Sequence, residues 1–148
     1  MLNLRIALLT FLSIQICACA SVSKQKAYEK MVTEFRDRLE LLSGAESEDC
    51  GSFGRGEDGN VEVACANGAM AAGKAFRLYG RDLGIDSILY KGVAVDASGK
   101  MFLVVGDSDR HGGGSWRAHP AVSSFSCETR SGVFTPENVF ECVGRKEQ

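Results

Sequence analysis

The sequence has little of what would make its function easy to read. Near its start the apolar stretch Ile6 to Ile16 carries no charge and has eleven residues, against about 20 for a bilayer-spanning helix. Basic charge is not in surplus. Seventeen Lys and Arg stand against nineteen Asp and Glu, a net charge of −2, so the charge balance selects neither nucleic acid nor an acidic surface. There are only two histidines, two prolines and one tryptophan. The glycine run Gly112-Gly113-Gly114 lacks the lysine of a phosphate-binding loop. No G-x-S-x-G nucleophile elbow occurs, and no C-x2-C pair offers the usual start of a zinc site. What is present is an ordinary globular composition, 45% apolar and 24% charged, on a length of 148 residues. That excludes a largely disordered chain and fits one domain.

The N-terminal residues read as an address. Arg5 precedes the apolar stretch, and small residues follow it, the order of a secretory signal peptide. Ile16-Cys17-Ala18-Cys19 then resembles the lipobox of bacterial lipoproteins: an aliphatic residue, a variable one, a small one and a cysteine. The resemblance covers about four residues and implies that Cys19 becomes the lipidated mature N-terminus. Cys17 departs from the commoner Ala or Ser at its place. Ala20, where an Asp would retain the protein at the inner membrane, implies an outer-membrane destination facing the periplasm. Ordinary cleavage after Ala18-Cys19-Ala20 is the competing reading. The expected division is a signal peptide over 1–18, a lipid-anchored tether over 19–24 and one domain over 25–148. Loss of residues 1–18 removes Arg5 and no acid, which takes the net charge from −2 to −3.

The six cysteines sort themselves once the address is set aside. Cys17 leaves with the signal and Cys19 is spent on lipid or lost by cleavage. Cys50, Cys65, Cys127 and Cys142 remain, an even set suited to an oxidising compartment. Four cysteines allow three pairings. Cys50–Cys65 and Cys127–Cys142 are favoured because each closes a short local loop.

Periodicity predicts an α+β domain: two N-terminal helices packed on one face of a three- to four-stranded antiparallel meander, with two disulfides. Tyr28, Met31, Phe35, Leu39 and Leu42 recur at helical spacing between Val22 and Leu42, and Gly44 is a left-handed stop. Residues 45–59 read as an acidic, Gly-rich loop. A second helix is expected over Val61–Tyr79, with Val61, Cys65, Ala69, Ala72 and Phe76 inward. The period then changes to two. Ser87–Val95 and Lys100–Val105 flank the hairpin loop Asp96-Ala97-Ser98-Gly99. A third strand lies within Trp116–Thr129, clearest over Ala121–Cys127. Thr135-Pro136-Glu137 reads as the start of a one- or two-turn helix.

Candidate chemistry concentrates between residues 106 and 119. Asp107-x-Asp109-x-His111-Gly112 matches the first half of a calcium loop, but its twelfth position is Ala118, which has no carboxylate. No metal and no cofactor are expected. The mixed charges and the aromatic ring make Asp107, Asp109, Arg110, His111 and Trp116 the candidate binding residues of a glycine-rich loop. With no coherent catalytic set legible, the sequence predicts a non-catalytic cell-envelope lipoprotein. It would touch the membrane through its anchor, bind a protein or envelope component, and have no nucleic-acid partner. The alternative is a small periplasmic hydrolase of cell-wall material, working through the acids and histidines of 107–119.

Overall fold

The computed structural model describes residues 24–112, 119–128 and 133–147. Helix α1 covers 24–43, and its stripe of Met31, Phe35 and Leu39 is buried as the spacing predicts. It stops where Gly44, at φ 90°, accepts a left-handed conformation, and the Gly44 N–H donates to the Glu40 carbonyl at 2.8 Å. The remaining elements are β1 (Glu48–Gly54), α2 (Asn60–Ala71), β2 (Phe76–Leu83), β3 (Ile88–Val95), β4 (Met101–Asp107), β5 (Ala121–Cys127) and β6 (Lys146–Glu147).

The strands form one six-stranded sheet in the order β1-β2-β3-β4-β5-β6. β1 runs parallel to β2, with α2 as the crossover that a parallel pair requires. All later pairs are antiparallel. The class is α+β, but the sheet is larger than the expected meander and is mixed. The helices also lie on opposite faces rather than on one. Against one face α1 packs Met31, Phe35 and Leu39 on Tyr90, Ala94, Phe102 and Val104. Against the other, α2 packs Val63, Ala66 and Ala69 on Phe76, Leu78, Val93 and Leu103, joined there by Phe134 and Val139. Strands covered on both sides lose the clean polar-apolar alternation, which is why Val93, Ala94 and Val95 are all buried.

The second helix is shorter than its pattern implies. It ends at Ala71 because Gly73, at φ 64°, turns the chain. The Lys74 N–H reaches the Ala69 carbonyl at 2.9 Å and the Gly73 N–H reaches that of Met70 at 3.0 Å. Those two bonds are a Schellman stop. Phe76 to Tyr79 therefore belongs to β2, and the inward residues of α2 are Val63, Ala66 and Ala69 rather than a stripe starting at Val61, which is 78% exposed.

Residues 45–59 also contain a strand, not only a loop. β1 hides because it is an edge strand with a single buried residue, Cys50. Its edge is guarded: the Gly51 N–H donates to the Asp49 carboxylate and the Gly54 N–H to that of Glu57, so two donors are closed to strand addition. Thr135-Pro136 opens turns over 136–140 rather than a helix. The Asn138 side chain takes the Thr135 N–H at 2.9 Å, a turn closure that competes with helix. The Asp96–Gly99 loop is as expected, with Gly99 at φ 81°. Both favoured disulfides, Cys50–Cys65 and Cys127–Cys142, are formed. No helix among the described residues is long and apolar enough to cross a membrane.

Candidate functional site

The predicted loop lies at the end of the sheet where β4 finishes and β5 begins. Asp107 is the last residue of β4, and its carboxylate accepts the Asp109 N–H at 2.9 Å, the turn-closing role common for Asp. Asp109 points inward, 6% exposed, and its Oδ1 is buried with no hydrogen-bond partner among the described residues. Arg110 and His111 are exposed. The Arg110 N–H donates to the His119 carbonyl at 3.2 Å, which brings the two imidazoles edge to face with ring centres 5.4 Å apart. Trp116 lies outside the described residues. The structure thus gathers Arg110, His111 and His119 at the surface and withdraws Asp109 from it. No group of three or more His, Cys, Asp or Glu among the described residues is placed to hold a metal ion.

A second feature is a cleft of about 650 Å³ at the carboxyl ends of β1 and β2. Its apolar part is built on one small residue. Gly80, in mid-strand, leaves room for the Phe140 ring, which stacks on Phe53 with centres 5.4 Å apart and planes at 28°. A glycine within a strand commonly marks such a close approach. Around the rings stand Arg55, Lys91, Asp82, Glu137 and Glu141. The Glu137 carboxyl is held below its ordinary range by a hydrogen bond from the Thr135 hydroxyl and by its own backbone amide.

Both walls of the cleft are fastened. β1, which carries Phe53, is tied by Cys50 to Cys65 on α2. The segment carrying Phe140 is tied by Cys142 to Cys127 at the end of β5. Asn67 on α2 adds a polar clamp, donating to the Phe134 carbonyl at 3.0 Å and accepting its N–H at 2.8 Å. Phe134, 2% exposed, meets Phe76 edge to face. Sequence reading missed this cleft because its walls are about 85 residues apart along the chain. The one local signal was Gly80, which reads as a helix end when Phe76 to Tyr79 is taken as helix.

Comparison with known protein families, with curated proteins and with solved structures finds no match to this chain.

Proposed function

We propose that this chain is a non-catalytic lipoprotein of the bacterial cell envelope, anchored by lipid on Cys19, which binds a protein or another envelope component. In this reading the principal binding surface is the cleft over Gly80, beside the earlier candidate, the loop of residues 106–116. The observation that carries this reading is that each wall of the cleft is pinned by its own disulfide. Disulfides fit an exported protein, and rigid walls reduce the ordering cost of binding.

The chemistry of the lining supports recognition. Two stacked rings offer an apolar seat, and charges of both signs at the rim offer orientation. A Glu137 carboxylate stabilised as the anion is an acceptor for a ligand's N–H groups. A general acid needs the opposite shift, toward neutral pH.

The test places a photoreactive side chain at Glu137 in the full-length protein in its host membranes, with the same group at Ser98, at the far end of the sheet, as control. Specific adducts at position 137 that vanish on Arg55→Glu/Lys91→Glu support the cleft; equal labelling at both positions rejects it. The mass of the N-terminal peptide reports the anchor: a diacylglyceryl adduct on Cys19 is expected, and a mature chain beginning at Ser21 would remove it. Turnover of isolated cell-wall material by the purified protein, lost on His111→Ala/His119→Ala with folding intact, would instead establish the hydrolase.

A further inference from the structure

The two ends of the sheet are unlike, and the anchor can reach only one of them. At one end lie the β2–β3 turn, the end of β4 and the start of β5; at the other lies the β3–β4 loop Asp96–Gly99. Side-chain contacts fix the direction of α1. The Tyr28 and Tyr90 hydroxyls are hydrogen-bonded at 2.7 Å, Met31 lies against Gly106 and Leu39 against Gly92, and the Ser43 hydroxyl meets that of Ser47 at 2.8 Å. The helix therefore begins at the end bearing the β2–β3 turn. Lys24 lies roughly 6 Å along the axis beyond Tyr28, and Ile88 roughly 7 Å along the strand beyond Tyr90, so the helix start and the turn stand nearly level.

Cys19 precedes Lys24 by five residues, a reach of at most about 18 Å. The eight residues of β3 separate the two ends by roughly 26 Å. A lipid on Cys19 thus holds the β2–β3 turn near the bilayer, while the Asp96–Gly99 loop stays away. At the near end the surface is apolar where it projects: Ile85 is fully exposed and Leu83 is 55% exposed. Lys24 and Lys26, both exposed at the helix start, lie at the same end of the domain, where they can meet phosphate headgroups. Asp82 and Asp86 flank the apolar pair and limit it to headgroup depth.

We propose that this end of the domain rests on the phospholipid bilayer that holds the Cys19 anchor, with Leu83 and Ile85 as its apolar contacts and Lys24 and Lys26 as its headgroup contacts. This inference rests on the lipoprotein reading. Because Leu83 also lines the cleft, this orientation places the cleft close to the membrane surface.

The experiment uses the lipidated protein in vesicles of phosphatidylethanolamine and phosphatidylglycerol carrying brominated acyl chains. A fluorophore is attached at Ile85→Cys in one variant and at Ser98→Cys in another. Quenching at position 85 with none at 98 is the expected result. Equal quenching at both positions, or none at either, overturns the proposal.

A tether lengthened by twenty Gly and Ser residues separates contact from mere proximity. With Leu83 and Ile85 present, a label at Gln25→Cys, exposed at the helix start, remains quenched, and Leu83→Ser/Ile85→Ser reduces that signal roughly tenfold. Loss of quenching on lengthening alone overturns the contact. If the mass at Cys19 shows no native lipid, the lipoprotein reading fails by itself. The same quenching measurement, made with a thiol-reactive lipid coupled to Cys19, then still decides the orientation.

Discussion

Replacing Gly80 with alanine tests how the cleft is built. An added Cβ would lie 2.7 Å from Cε2 and 2.9 Å from Cζ of Phe140, and 3.3 Å from the Phe53 carbonyl oxygen. Carbon atoms in contact prefer about 3.5–4.0 Å, so the ring must retreat by about 1 Å. It is poorly free to do so, because Phe53 stacks on it and Cys142, two residues on, is bonded to Cys127. Overpacking of this kind costs about 1–3 kcal/mol. Alanine offsets up to about 1 kcal/mol of that, since glycine is the poorer strand residue. Gly80 does not have positive φ, so backbone strain adds nothing. The expected net loss of about 1–2 kcal/mol lowers Tm by roughly 3–8 °C for a domain of this size.

Thermal and urea unfolding of a double-mutant cycle read the cause. In a Phe140→Ala background the ring is gone, and Gly80→Ala should be neutral or stabilising, giving a coupling of about 1–2 kcal/mol. An equal loss in both backgrounds would place the clash at the Phe53 carbonyl instead. No loss in the parent background would refute the account of the cleft floor.

The other face gives a graded pair: Gly92→Ala should cost about 1–3 kcal/mol, because its Cβ would meet both Leu39 methyls and Phe35. Gly106→Ala should cost less, because its closest neighbour is the pliable Met31 sulfur; the reverse order in urea midpoints would contradict this docking of α1. Serine replacement of either disulfide pair should remove about 3 kcal/mol, as each bridge spans 15 residues; unchanged unfolding would show that the loop is held by packing alone. Tyr90 is pushed up to about 12 by burial and by its hydrogen bond with Tyr28. Its raised folded-state pKa gives a stabilisation that is complete below pH 10 and lost as pH rises toward 12. Tyrosinate absorbance should show a late step for Tyr90, and Tyr28→Phe should move that step to lower pH; absence of any late step would exclude the buried pair.

What the sequence alone determined is what short-range chemistry controls. The α1 stripe, the Gly44 stop, the Asp96–Gly99 hairpin and strand β5 each depend on spacing or a turn residue within a few positions. The disulfide pairing was legible for the same reason, since a short loop is easily closed. The 106–119 cluster was legible only as composition: residue types could be named, but burial of Asp109 beside exposed Arg110 and His111 depends on how the turn folds back.

Tertiary structure decided the rest. β1 exists because β2 is there to pair with it, and one buried cysteine in seven residues carries no strand pattern. Gly73 weakens a helix or ends it depending on whether the following residues gain a sheet. The helices take opposite faces because both faces of a central sheet are apolar, which a meander with one solvated face would not require. The cleft joins Phe53 to Phe140 across Gly80 through contacts distant in sequence. Local patterns specify elements, but only the closing of the sheet places Phe140 over Gly80 and Lys24 at the same end of the domain as Ile85.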